Sequence, residues 1–136
     1  MSMIKRNLSF VLDRFSVKEV LTAWEKADKS KDIIVLESDH SDWSIEVDGI
    51  QSISHQVFEN FLSQLNDFDH EVQLFCKDTY EKSNHGIENY MVTLQWFSIL
   101  ENSITLGYWG DYVNVELRSN IAYENGMWQQ KEVYYQ

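Results

Sequence analysis

Residues 113–128, VNVELRSNIAYENGMW, decide the fold. Val113, Val115, Leu117, Ile121 and Tyr123 fall on one side of an extended chain, and Asn114, Glu116, Arg118 and Asn120 fall on the other. Side chains in a strand alternate with period two, so this pattern predicts a strand with one apolar and one wet face. Glu124-Asn125-Gly126 then predicts a tight hairpin, because Asn and Gly accept the positive φ angles that such a turn needs. Met127–Tyr135 follows as its return strand.

Working back toward the N-terminus, Ile104, Leu106 and Tyr108 alternate. Before them Tyr90, Val92, Leu94 and Trp96 mark one strand face, with Met91, Thr93, Gln95, Phe97 and Ile99 on the other. Val72, Leu74 and Cys76 also alternate and read as a strand, joined to the next by a polar connection over 77–89. Residues 54–66 predict a helix through the stripe Val57, Phe58, Phe61, Leu62 and Leu65. Ser54 is placed to cap it, and Ile53 to pack on Phe58 as a hydrophobic staple. Residues 17–29 predict another helix, with Val17, Val20, Leu21 and Trp24 on one face and Ser16 and Glu19 as a capping box. Between the helices, 32–36 reads as a buried strand and 42–48 as a half-buried one. Residues 3–15 fit a helical stripe and strand alternation equally. The order predicts one α+β domain over 1–136: a curved antiparallel sheet of about five to seven strands packed on two or three helices of the N-terminal half. Long strands in a twisted sheet tend to curl, and the order resembles the cone of the nuclear-transport-factor-2-like superfamily. That likeness concerns fold and leaves function open.

Composition narrows the partners. Asp plus Glu is 22 against 11 for Lys plus Arg, a formal charge of −11. Nucleic acid and anionic membrane surfaces are disfavoured and a basic partner is favoured. One cysteine, Cys76, excludes an internal disulfide and the paired-cysteine zinc patterns, which points to a reducing, cytoplasmic setting. No stretch approaches the run of about 18 apolar residues of a membrane span, and the N-terminus lacks the apolar core of a signal peptide. Aromatic residues make up 14% of the chain, which argues against disorder.

The candidate sites begin with GYWGDYVN, residues 107–114. Gly107 and Gly110 suit a bend or bulge, with Tyr108 and Trp109 filling opposite faces of the sheet. Read functionally, Trp109, Asp111 and Tyr112 contact a partner, with Glu116 and the rest of the wet face of the next strand continuing the patch. Tyr and Trp are favoured interface anchors, and acids steer a basic partner. A second candidate is the loop Glu37-Ser-Asp-His-Ser-Asp-Trp43, where Asp39, Asp42 and Trp43 offer acidic and aromatic contacts. Its pattern lacks the glycine and terminal glutamate of an EF-hand, so no metal is expected there. Asp39-His40 and Asp69-His70 are the only adjacent acid–histidine pairs with an acid–base reading, and neither falls in a catalytic motif. No phosphate loop, nucleophile elbow or cofactor motif is present, so neither catalysis nor a cofactor is expected.

The run Trp109-Gly-Asp-Tyr-Val-Asn114 followed by Glu124-Asn-Gly126 and Trp128 resembles the C-terminal part of small bacterial immunity proteins of polymorphic toxin and contact-dependent growth inhibition systems. The resemblance covers about a quarter of the chain. It implies an inhibitor that binds a cognate toxin domain, commonly a nuclease, and blocks its active site. The alternatives are a cone-shaped carrier, isomerase or hydratase with an apolar cavity, and a subunit that forms a homodimer through its exposed sheet.

Overall fold

The computed structural model describes residues 17–37, 44–83, 92–110 and 114–136, with side chains described to Thr79 in the second of these segments. The elements are α1 (Val17–Lys26), β1 (Ile33–Glu37), β2 (Ser44–Asp48), a 3-10 turn (Ile50–Ser52), α2 (His55–Ser83), β3 (Thr93–Leu100), β4 (Ser103–Gly110), β5 (Val115–Glu124) and β6 (Met127–Tyr135). The six strands form one sheet in chain order, β1-β2-β3-β4-β5-β6. All neighbours are antiparallel except β2 and β3, which run parallel. A parallel pair needs a crossover rather than a hairpin, and α2 lies within that crossover. The α+β class expected from the sequence is therefore observed, with a mixed sheet instead of a wholly antiparallel one.

Both described helices pack on one face of the sheet. Each strand sends alternate residues there: Ile34 and Leu36, Ile45 and Val47, Leu94, Phe97 and Ile99, Ile104 and Leu106, Leu117 and Ile121, and Trp128 are all buried. Val20 and Trp24 of α1 and Phe58, Phe61, Leu62, Leu65, Phe68, Val72 and Cys76 of α2 complete the core. Helix α2 starts as its sequence requires. The Val57 N–H donates to Ser54 Oγ at 3.3 Å, which satisfies one of the free donors at the helix start. Ile53 is buried beside Phe58 in the same core. The α1 and α2 helices are tied by the His55–Glu25 contact at 3.2 Å and by the His55 ring 5.1 Å from that of Trp24.

Three local expectations are corrected. Residues 72–76 belong to α2, which does not stop at 66. Val72 and Cys76 are a helical i, i+4 pair that continues the stripe of Phe61, Leu65 and Phe68, and Leu74 is only half-buried. The apparent alternation was a by-product of that stripe. Second, a bulge between Leu94 and Trp96 breaks the β3–β4 register, so Trp96 leaves the face it would share with Val92 and Leu94 and turns to the opposite one. Third, β1 is buried on one side only, since Ile33 and Val35 are 55% and 57% exposed. The Ser16 end of the capping box, the segment 3–15 and residues 84–91 lie outside the described residues.

Two turns show why particular residues stand where they do. At the β5–β6 hairpin Asn125 and Gly126 take φ angles of 55° and 76°, the conformation expected of Asn-Gly. At the end of β2, Gly49 has φ +82°, and a Cβ there would fall 2.1 Å from the carbonyl oxygen of Ile99. Gly49→Ala is expected to cost at least about 2 kcal/mol: left-handed backbone alone costs about 1–2 kcal/mol, and the clash adds to it. Urea unfolding of the variant at neutral pH measures this directly.

Candidate functional site

The sheet face opposite the helices carries the candidate site. Strand register orders its residues into rows. One row runs Val35, Glu46, Trp96, Gly107, Arg118, Tyr134, and the next runs Ile33, Asp48, Ser98, Thr105, Asn120, Glu132. Trp109 and Glu116 are directly paired in a third. No described helix covers this face.

At its centre the Trp96 indole lies against Gly107. A Cβ on Gly107 would sit 1.9 Å from the ring atom Cε2, so the missing side chain is what lets the ring lie down. The Arg118 guanidinium stands 5.3 Å from the Trp96 ring centroid, in cation–π range. Trp96, Trp109, Gln95, Glu116 and Arg118 rim a shallow depression of about 260 Å³ over Gly107. Gly107→Ala is expected to lift the indole off the strand and open this depression with little change in fold. The Trp96 indole N–H resonance reports it, moving while those of Trp24 and Trp128 stay in place.

The face is electrically unbalanced. Glu37, Glu46, Asp48 and Glu116 are exposed and have no ion-pair partner among the described residues. Glu132 is held by the Asn120 amide. Arg118, two residues from Glu116 on β5, has no carboxylate partner among the described residues and rests on the tryptophan. Charges on an open face cost little desolvation while free, and are available to a partner that brings the opposite sign.

Of the residues singled out from the sequence, Trp109 and Glu116 are brought together on this face, and Tyr108 and Trp109 point to opposite sides as expected. Tyr108 is buried and Trp109 half-exposed. The β4–β5 pairing runs unbroken through Gly107, while on its β3 side Gly107 stands at the bulge between Leu94 and Trp96 and gives the Trp96 ring its close approach. Asp111, Tyr112, Asp39, Asp42 and Trp43 lie outside the described residues. Trp96 was missed as a site residue because alternation from Val92 and Leu94 puts it in the core. The paired glycine across the strand is the signal that could have found it.

Asp69 and His70 do not form a facing pair. They are consecutive on α2, with Asp69 fully buried and His70 half-buried. Asp69 Oδ1 accepts from the Tyr108 hydroxyl at 2.7 Å and from Gln73 Nε2 at 3.2 Å. Gln73 also donates to the Val92 carbonyl at 2.7 Å and accepts from the Val92 N–H at 3.0 Å. This buried network bolts α2 to the start of β3 and to β4, and it fixes the strand that presents Trp109.

Burial raises the Tyr108 hydroxyl well above its ordinary value of 10.0, and the Asp69 carboxylate adds to the shift. Burial likewise raises the Cys76 thiol from 9.0 to about 11, with the Tyr135 hydroxyl pulling weakly the other way. Both groups lose their protons more readily in the unfolded chain. The stability that comes from keeping them neutral is therefore fully present below pH 9. It is lost as pH rises, through 9 to 11 for Cys76 and above 10 for Tyr108. Urea midpoints are expected to be level from pH 7 to 8.5 and to fall beyond, and Cys76→Ala is expected to flatten the part that begins near pH 9.

Among the described residues no cluster of three or more His, Cys, Asp or Glu is arranged to hold a metal, and no helix is long and apolar enough to cross a membrane. No family model, curated protein or solved structure matches this chain.

Proposed function

We propose that this chain is an immunity protein, an inhibitor that binds a cognate toxin domain through the open face of its sheet. One observation carries the reading: Trp96, Trp109, Arg118 and Tyr134 share a face with carboxylates that have no ion-pair partner among the described residues, and no described helix covers it. Trp, Tyr and Arg are the residues in which binding energy concentrates at protein interfaces. The resemblance of 109–128 to immunity proteins and the charge of −11 support the same conclusion.

The chemistry is complementary to a nuclease. Such an enzyme presents a basic groove to phosphates, and Glu46, Asp48 and Glu116 would occupy it in place of the nucleic acid. Long-range attraction speeds encounter, and the tryptophans and Arg118 set specificity. The inhibitor would act in the cytoplasm, where the nucleic acid is. Asp111 and Tyr112, next in sequence to Trp109, and a second patch of Asp39, Asp42 and Trp43 are proposed as further partner contacts.

The test is a pull-down from the source cells with the chain immobilised, repeated with a Trp96→Ala/Trp109→Ala variant, each bound partner then being assayed for nuclease activity and its inhibition. A basic toxin domain held by the parent chain, lost from the variant and inhibited by the complex is the expected result. A partner retained equally by both, or turnover of a small molecule by the chain alone, contradicts it.

A further inference from the structure

The two edges of the sheet are protected unequally. On β6 the register slips opposite Asn120 and Ile121, leaving Lys131 as an extra residue in a bulge, and Lys131 is ion-paired to Glu124. Gln129, Gln130 and Glu132 flank it. Bulges and charges of this kind prevent an edge strand from pairing with another chain. Edge β1 has neither. Its residues Ile33–Glu37, sequence IIVLE, pair with β2 in unbroken register and hold no charge before Glu37. No strand among the described residues lies beyond β1. Ile33 and Val35 are more than half exposed on the open face, while Ile34 and Leu36 are buried on the other.

Charge selects what can pair there. On the open side β1 and β2 present Ile33, Val35, Glu37, Ser44, Glu46 and Asp48, which are two aliphatics, three acids and one serine, with no base among them. Across from Val35 stands Glu46, and across from Ile33 stands Asp48. A strand added beyond β1 lies about 10 Å from β2, two strand spacings. A lysine or arginine on it can lay its methylene stem over Ile33 or Val35 and reach the carboxylate beyond, as long basic side chains do on apolar surface. A second copy of the chain would instead bring together two molecules of charge −11. The edge also leads into the proposed binding face, because the row from Val35 continues through Glu46 to Trp96 and Arg118.

We propose that β1 is a second docking element, which takes up an extended strand of the basic partner by backbone pairing, with lysine or arginine on the strand's open side. This rests on the partner reading above and adds a pairing mode to it. Alternate residues of an edge strand turn their N–H and C=O outward, so the ladder supplies affinity and the side-chain alternation supplies selectivity.

The probe is a blocked nine-residue peptide of alternating lysine and valine, added to the full chain labelled with nitrogen-15, with amide hydrogen exchange read strand by strand. At millimolar peptide, β1 amides are expected to gain at least about fivefold protection with period two, none on β6. The effect is expected to weaken with salt and to vanish with Ile33→Lys/Val35→Lys. The same peptide methylated on every backbone nitrogen, which cannot donate to a ladder in either direction, is expected to give no protection. Protection on β6, none on β1 at any peptide concentration, or equal protection by the methylated peptide overturns the proposal. So does β1 protection without peptide, whether in the dilute free chain or only as it self-associates, since either shows that another occupant covers the edge. The two readings fail separately: a captured toxin that perturbs Trp96 and Trp109 but leaves β1 exchange unchanged refutes the edge and keeps the face.

Discussion

Trp109→Ala is expected to weaken binding of the captured partner about 30- to 1,000-fold, the range of about 2–4 kcal/mol that a central aromatic anchor carries. Arg118→Ala is expected to act in the same range, because it removes a cation of the open face that also stacks on Trp96. Glu46→Gln and Glu116→Gln are expected to act differently. Each leaves the packing in place and removes one steering charge, so association slows and its salt dependence becomes shallower while dissociation changes less. Stability separates these effects from misfolding. None of these side chains belongs to the helix-facing core, and unfolding midpoints should stay within about 1 kcal/mol of the parent. Surface-based binding kinetics over a series of salt concentrations, with urea unfolding alongside, reads both properties.

Phe61→Ala is expected to remove about 3–5 kcal/mol of stability, the usual cost of emptying a large aromatic position in a core. Phe61 is fully buried, with its ring 5.5 Å from Trp128, 5.6 Å from Phe97 and 6.1 Å from both Phe58 and Phe68. It therefore joins α2 to β3 and β6 at once, and no single neighbour can collapse into the space. Against a typical net stability of about 5–15 kcal/mol, this loss leaves a substantial unfolded fraction at elevated temperature. Phe61→Leu keeps most of the apolar volume and should cost well under half as much. Thermal and urea unfolding of the two variants, compared with the parent chain, measures the difference.

Much of this fold was legible because its signals are local. Asn125-Gly126 specifies the hairpin and with it the return strand β6, and alternation marks β4 and β5. The Ser54 cap and the stripe from Val57 to Leu65 locate the start of α2. The end of α2 was not legible, since Val72, Leu74 and Cys76 satisfy period two as well as the helical stripe, and only packing against the sheet decides between them. Nor does alternation foresee a bulge. The slip between Leu94 and Trp96 reversed one tryptophan and so concealed the centre of the site. The parallel pairing of β2 with β3 is a long-range choice that no local pattern encodes. Part of the site was legible: residue parity places Glu116 and Arg118 on one face, and pairing brings Trp109 beside them. Which face the helices leave open follows from their packing, and hydropathy alone read Ile33 and Val35 as buried.

The tryptophans provide the most direct test of the central claim. Trp24, on α1, and Trp128, on β6, are buried in the core between helices and sheet, whereas Trp96 and Trp109 lie on the open face. Indole N–H resonances of the labelled chain, recorded with and without the captured partner, therefore report the two sides separately. Trp96 and Trp109 are expected to shift or broaden on binding while Trp24 and Trp128 hold their positions. Shifts confined to Trp24 and Trp128, with Trp96 and Trp109 unmoved, would place the partner on the helices and contradict it.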